Sequence, residues 1–403
     1  MTETNSPDRV YLDYAGFAPV DPRVLAVMRP FFESGIGNPS APHSLGAEAR
    51  ESLDAARTKV ARLCGGAPAG VIFTSGATEA NNLAIKGVAL AARDPRGGRI
   101  ILSAVEHISV VNACRDLEKA GVTPVVLPVD RDGRVDPAEV AGALVPGAVL
   151  VSIGAASNEI GTLQPLAEIG QVARAAGVPF HVDAVGALGR VPLGVEAMGI
   201  DLLSLSGNDI YGPPGTGALW VRPGVKLYPQ MLGGGQEGGH RSGTENLPGV
   251  VGLGVAAELI RTEVGHGESA RLIALRDRLM HGLLGVIAET RLTGSAGARL
   301  PHHVSLVLRG VKADSVLLDL DLAGVAASTG SACAALTQTP SHVLRAIGCT
   351  PEETEGSLCF TLGRWSTGDE VEAVLDRLPP IVSRLRALAA FAPAARPVGN
   401  RRA

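Results

Sequence analysis

The chain has 403 residues, 46% of them apolar and 19% charged, and carries a net charge of −4. This length suits two domains, and this apolar fraction predicts a large buried core rather than disorder. Acids and bases are interspersed along the chain, with nothing like the basic footprint of a nucleic-acid binder, and no apolar run reaches the ~18 residues of a membrane span. The polar start MTETNSPDRVYLDYAG has no apolar secretory segment, and the five cysteines lack CxxC or metal-ligand spacing. Free thiols in a reducing cytoplasm, with no metal site, are therefore expected.

From about residue 20 to 220, helical and strand-like patterns alternate. VLAVMRPFFESG and AEARESLDAARTKVARLCG have helical periodicity, VIFTSG is a short buried strand, and TEANNLAIKGVALAAR is helical again. RIILSAVEH, TPVVLPVD, AVLVSIGAAS and PFHVDAV follow as strands, separated by the helices VVNACRDLEKAG, DPAEVAGALV and LAEIGQVARAAG. Near-continuous apolar strands alternating with helices predict an α/β fold with a mostly parallel sheet covered on both faces. Each strand end then offers a loop where a ligand can sit. The segment LGGGQEGGHRSGTENLPG looks too rich in glycine to hold itself in place. Beyond it one long helical stretch is expected from about Val250 to Ile287, then a second α/β unit from HHVSLVLRG to the helix GDEVEAVLDRLPPIVSRLRALAAF. The tail is rich in Pro, Ala and Arg, as a frayed terminus would be.

Three strand ends carry candidate chemistry. In FTSGATEANNLAIKG a strand runs through Ser-Gly-Ala-Thr into a helix, presenting backbone N–H groups and the Thr78 hydroxyl to an anion such as phosphate. A simple helix cap reads equally well from this stretch alone. Asp183 closes the strand of HVDAVGALG and needs a partner for its charge, either a protonated ring nitrogen or a structural cation. His107 can stack on a planar ring or cap a helix, and Asn158 can bond a ring substituent.

Taken in order, YLDYAGFAPVDPRV, GNPSAPHSLG, FTSGATEANNLAIKG, EHISV, SNEIGTLQPLAEIG, HVDAVGALGRVPL, IYGPPGTGALWVR, GGGQEGGHRSGTEN and AASTGSACAALTQTPSHVLRAIG closely resemble the cysteine desulfurases, over roughly residues 10 to 385. These are fold-type I, class V aminotransferase-like enzymes of pyridoxal phosphate. The resemblance implies a large cofactor domain (15–260), a small α/β domain (261–390 with 1–14), a flexible tail (391–403) and a homodimer. It assigns Ala77, Thr78 and Ser206 to the phosphate, His107 to the ring face, Asn158 to the ring hydroxyl side and Asp183 to the ring nitrogen. Thr244 would reach the phosphate of the partner subunit, and Cys333 falls where the family's persulfide-forming nucleophile stands.

The resemblance also exposes departures. Asp209 stands at the position of the Schiff-base lysine, and a carboxylate cannot form an imine. Beside a phosphate its charge costs about 4 kcal/mol for a separation of about 4 Å. Asn208 replaces the preceding histidine, Gly186 a glutamine, and Cys359 the arginine expected to grip a substrate carboxylate. Gly16, Phe17 and Ala18 replace small hydroxylated residues. Among the five lysines, Lys312 is the one worth checking as a substitute amine. Pyridoxal phosphate is thus expected to bind without a covalent link or not at all. The leading reading is a sulfur-handling protein that works through Cys333 with a sulfur-donor or sulfur-acceptor protein. Its rival is a repurposed enzyme using Asp209, Asn208, His107 and Cys359 on another small molecule. An ordinary desulfurase ranks last.

Overall fold

Short runs of apolar residues form twelve strands in the computed structural model, which describes residues 9–33, 37–91, 96–264, 267–330 and 340–391. In chain order they are β1 (Val10–Tyr11), β2 (Val71–Thr74), β3 (Arg99–Ser103), β4 (Thr123–Leu127), β5 (Ala148–Ser152) and β6 (Phe180–Asp183). The rest are β7 (Leu202–Ser206), β8 (Gly217–Val221), β9 (Thr290–Leu292), β10 (His303–Leu308), β11 (Val325–Ala326) and β12 (Ser357–Thr361). Seven of them build the central sheet in the order β2-β8-β7-β6-β5-β3-β4. Only β8 runs against its neighbours, so the other six strands point their carboxyl ends toward one edge.

Side chains alternate between the two faces, as the period of two requires. Phe73, Ile101, Val151, Val182, Leu203, Leu205 and Trp220 pack on one face against the helices Ser44–Cys64 and Leu247–Val264. Ile72, Ile100, Leu102, Leu150, Leu202 and Leu219 pack on the other, mainly against Ala77–Ala91. The helices Ser44–Cys64 and Leu247–Val264 meet closely because a Cβ at Gly254 would lie 2.7 Å from the Cα of Ala56.

The C-terminal layer has its own core, in which Val304, Leu306 and Leu308 of β10 and Leu358 and Phe360 of β12 pack on Leu279, Leu283, Val374 and Leu378. β10 pairs antiparallel with both β9 and β12. The N-terminal strand β1 joins this layer through β11, and Val10 and Leu12 enter its core. The expected single helix across 250–287 is instead two, Leu247–Val264 and Glu268–Val286. Gly267, at φ 90°, has a left-handed backbone that no continuous right-handed helix can contain.

The Gly-rich segment is also held more firmly than its composition suggests. Glu237 inserts a buried carboxylate that pairs with Arg57 at 2.7 Å and accepts the Phe73 N–H at 2.9 Å. Arg241 pairs with Glu79 at 2.9 Å, and Gln236 Oε1 accepts the Gly243 N–H at 2.9 Å. The segment is thus fastened within its own subunit. Glu237→Ala leaves the Arg57 charge poorly solvated and is expected to cost about 3 kcal/mol. A lowered thermal midpoint with new protease cleavage within residues 230–246 is the expected reading; an unchanged midpoint contradicts the anchor.

Candidate active site

Where β3, β5 and β6 end, a cavity of about 630 Å3 opens between the central sheet and the C-terminal layer. His107, Asn158 and Asp183 line it, together with Glu106, Ser328 and Cys359. Asp183, the last residue of β6, is buried, and its carboxylate accepts Asn81 Nδ2–H at 2.7 Å and the Val185 N–H at 3.1 Å. The same Asn81 amide donates to Ser109 Oγ at 3.0 Å, and Ser109 Oγ lies 2.7 Å from His107 Nδ1. His107 caps the helix Ile108–Asp116, its Nδ1 accepting the Ser109 N–H. With Nδ1 an acceptor, the proton of the neutral ring sits on Nε2. Burial raises the Asp183 carboxyl above the usual range, while His107 and Asn81 oppose that rise. Glu106, also buried, accepts the Ser103 hydroxyl and the Gly154 N–H, and burial pushes it up to about 7.

Asp209 sits on a separate turn one strand away. Ser206 ends β7, and Gly207 follows where a Cβ would stand 2.3 Å from Thr216 Oγ1. Gly207 N–H donates to Thr216 O at 2.9 Å and Gly212 N–H to Gly207 O at 2.8 Å, closing the loop around the 3₁₀ turn Asn208–Ile210. Burial pushes the Asp209 carboxyl up to about 6; the Ser206 hydroxyl and Arg190 lower it, and the nearby Asp183 charge raises it further. Arg190 is itself buried and donates to the Asp209 carbonyl at 3.0 Å and to the Tyr211 hydroxyl at 3.4 Å. Tyr211 also accepts the Arg364 N–H at 2.9 Å, with the Arg364 guanidinium 4.3 Å from its ring centre and that of Arg190 5.4 Å away. Arg364 in turn pairs with Asp21 and Glu263. The Asn208 side-chain carbonyl is buried without a donor.

Of the other predicted residues within the described part, Ala77, Thr78, Ser206, Asn208, Asp209 and Thr244 do not line the cavity. Ser206 pairs in register with Gly217, whose Cβ would touch Gly76 Cα at 2.6 Å, so Ser206 borders the loop leading to Ala77 and Thr78. Ala77 opens the helix Ala77–Ala91, whose first N–H groups have no acceptor within the helix, and Thr78 is exposed. Thr244 is exposed on the Gly-rich segment. Cys333 lies outside the described residues, although Gly330 and Pro340 on either side of that segment line the cavity. The expected tail beyond residue 391 is likewise outside them. Asn81 and Ser109, which join Asp183 to His107, were not singled out from sequence. The signal was there in Asn81, an amide on the otherwise apolar buried face of its helix.

No lysine lines the cavity. Lys86 and Lys119 pair with Asp116 at 2.7 and 2.8 Å, and Lys312 is exposed, 3.8 Å from Glu355. The cavity thus offers His107, Asn158 and Asp183 to the ring of pyridoxal phosphate and no amine to its aldehyde. At Gly186, with φ 79°, a Cβ would stand 2.4 Å from Asn158 Oδ1, so the space of a longer side chain is filled by Asn158. Cys359 Sγ lies 3.3 Å from His303 Nε2, which also lies 2.8 Å from the Asn158 carbonyl. Arg299, which can only donate, faces His303 Nδ1 at 3.5 Å, so Nε2 carries the proton and cannot accept one from the thiol. Burial raises the Cys359 thiol far above its usual range and pushes His303 down to about 3. Cys359 is a neutral thiol here, not a prepared nucleophile. Cys64 and Cys114 are buried, each pushed up to about 12. Among the described residues no group is arranged to hold a metal, and no helix is long and apolar enough to cross a membrane.

A folded-state carboxyl raised from its ordinary value to about 6 binds protons more tightly than in the unfolded chain, so its charge penalises folding as pH rises through that window. Asp209→Asn should therefore raise stability above pH 6, on the order of 1 to 2 kcal/mol, with the gain vanishing below about pH 4. Denaturant melts of both proteins at pH 4 and 7.5 measure it, and a gain equal at both pH values contradicts the buried charge.

Among known proteins, the family Aminotransferase class-V matches residues 10–374. Cysteine desulfurase IscS 1 of Archaeoglobus fulgidus is 46% identical over 381 residues, covering 94% of this chain and 98% of that protein. Cysteine desulfurase IscS of Dictyoglomus turgidum is 43% identical, covering 95% and 96%. Among solved structures, a NifS-like protein superposes with a TM-score of 0.85 at 31% identity, covering 95% of this chain and 100% of its own. A structure titled "SspA in complex with cysteine" gives 0.78 at 35% identity, covering 89% and 100%. The mostly parallel seven-stranded sheet, the strand-end cavity and these likenesses agree: the chain belongs to the class-V aminotransferase family, among the relatives of the pyridoxal-phosphate-dependent cysteine desulfurases.

Proposed function

We propose that this chain is a sulfur-handling member of the cysteine desulfurase group that does not run the covalent imine step. The observation that carries the reading is the absence of every lysine from the cavity wall, with Asp209 on the turn after β7. Pyridoxal phosphate, when bound, supplies an aldehyde to condense with an amine and a ring that accepts electrons. In this reading Asp183 would hold a proton on the ring nitrogen, His107 would cover a ring face and Asn158 would orient a ring substituent. Ala77, Thr78 and Ser206 would hold the phosphate, with Thr244 supplied by the partner of a homodimer. A neutral thiol at Cys359 offers no bidentate clamp for an amino-acid carboxylate.

Sulfur would arrive from a donor protein persulfide. The Cys333 thiolate attacks the outer sulfur of that persulfide, the donor S–S bond breaks, and the donor cysteine leaves as a thiolate. Cys333 then carries the persulfide, with no external oxidant or reductant needed. The relatives' names as cysteine desulfurases support sulfur chemistry, and a cytoplasmic setting suits free thiols.

Borohydride treatment of protein mixed with pyridoxal phosphate should leave no reduced adduct on any lysine peptide, and incubation with a persulfide donor should load Cys333. A lysine adduct, or persulfide appearing equally on Cys333→Ser protein, overturns the reading. Asp209→Lys alone should gain a reducible adduct without efficient alanine release from cysteine, because positioning worth several kcal/mol is still missing at Gly186 and Cys359. Mass spectrometry and an alanine assay read the two effects separately.

A further inference from the structure

The strand-end cavity has two walls, and only one of them has been given a task. His107, Asn158 and Asp183 line the sheet side, while Asp13, Ser328, Gly330 and Cys359 line the side of the C-terminal layer. Backbone pairing fixes this second wall. Cys359 N–H donates to Ser328 O at 2.7 Å and Ser328 N–H to Cys359 O at 3.1 Å. Asp13 bridges Thr361, two residues beyond Cys359 on β12, and a Cβ at Gly330 would stand 3.2 Å from Cys359 Cβ. The half-buried Asp13 carboxyl takes hydrogen bonds from the Ser328 hydroxyl and the Gly16 N–H, and burial raises it above the usual range. Among the described residues it has no ion pair, and no Arg or Lys lines either wall. The segment 331–339, SACAALTQT, carries no charged residue in its sequence. Both lining histidines are engaged: His107 Nδ1 accepts the Ser109 N–H, and His342 Nε2 lies 2.9 Å from the Glu106 carbonyl. The lining amides of Asn112 and Asn158 offer hydrogen bonds but no positive charge.

We propose that this cavity takes a small amine that lacks a carboxylate, in a sulfur-handling protein an aminothiol, with Asp13 accepting from its ammonium. The proposal rests on the reading above that Cys359 offers no clamp, and names the ligand class which that reading leaves open. An α-amino acid would bring a carboxylate into a cavity that already holds the carboxyls of Asp13, Glu106 and Asp183. A charge withdrawn from water without a partner is strongly disfavoured. An aminothiol instead brings an ammonium with three donors and a charge opposite to that of Asp13. Selection then falls on the charge of the ligand and not on its sulfur. The step is an equilibrium of binding, with no bond made or broken.

The test is a saturation-transfer NMR titration of the purified full chain, without added pyridoxal phosphate and under a phosphine reductant. The probes are cysteamine, 2-mercaptoethanol, L-cysteine and L-cysteine methyl ester. Mercaptoethanol replaces the ammonium of cysteamine by a hydroxyl, and the ester keeps the ammonium of cysteine while masking its carboxylate. Cysteamine is expected to bind about tenfold more tightly than 2-mercaptoethanol or cysteine, the worth of one charge-assisted hydrogen bond, and the ester to recover most of what cysteine lacks. Asp13→Asn, or Asp13→Ser should the first fold poorly by circular dichroism, is expected to bring cysteamine and 2-mercaptoethanol to near parity. Cysteine bound as tightly as cysteamine, with no alanine formed, overturns the selection and leaves the imine-free reading standing. So does a preference unchanged in the folded variants, or failure of every probe to bind at millimolar concentration. Tight cysteine binding with release of alanine overturns both.

Discussion

The carboxylate at the end of β6 has to be buried and still stabilised, and much of the site follows from how that is done. Asp183 is largely withdrawn from water, so Asn81 comes down from the neighbouring helix and Val185 N–H closes from its own chain. Asn81 is then fixed and can orient Ser109, which in turn sets the imidazole of His107. One desolvated charge thereby links the loops after β3 and β6 to the helix after β2. This explains why residues far apart in sequence act on one cavity. Such networks are valuable when every member is satisfied and costly when one is not.

The turn after β7 obeys a different constraint. Its glycines are set by contact: Gly207 lies against Thr216, and Gly217 lies against Gly76. The backbone there tolerates almost no enlargement, and the loop is closed by backbone hydrogen bonds rather than by the side chains at 208 and 209. That separation of a rigid backbone from replaceable side chains allows a chemically different pair, an amide and a carboxylate, to occupy a turn of inherited shape. Cys359 shows the same pattern. Its strand β12 keeps register with β10 while the residue facing the cavity is a thiol held by His303.

The sheet was legible in the sequence because parallel strands covered on both faces appear as uninterrupted apolar runs, as in VIFT and FHVD. Asp183 was legible because it closes such a run, and His107 and Asn158 because each stands in the loop that follows one. The break at Gly267 was not read, although the two glycines of GHG, with no apolar side chain between Val264 and Ala270, are a local stop signal for a helix. Nor was the anchoring of the Gly-rich segment, because the partner of Glu237 is Arg57, separated from it by most of the central sheet's sequence. Local composition predicts local freedom and says nothing about a carboxylate inserted into a distant arginine. Asn81 and Ser109 were missed for the same reason: their importance comes from a contact across the fold.

Tyr211 joins the two halves of the molecule. Its hydroxyl receives Arg190 from the sheet side and the Arg364 backbone from the C-terminal layer, and its ring lies near both guanidinium groups. The backbone of Tyr211 is strained into the left-handed region at φ 62°, immediately after the turn that bears Asp209. The tyrosine is therefore a support shared by both layers: one hydroxyl ties the Arg364 backbone to the guanidinium that also holds the carbonyl of Asp209.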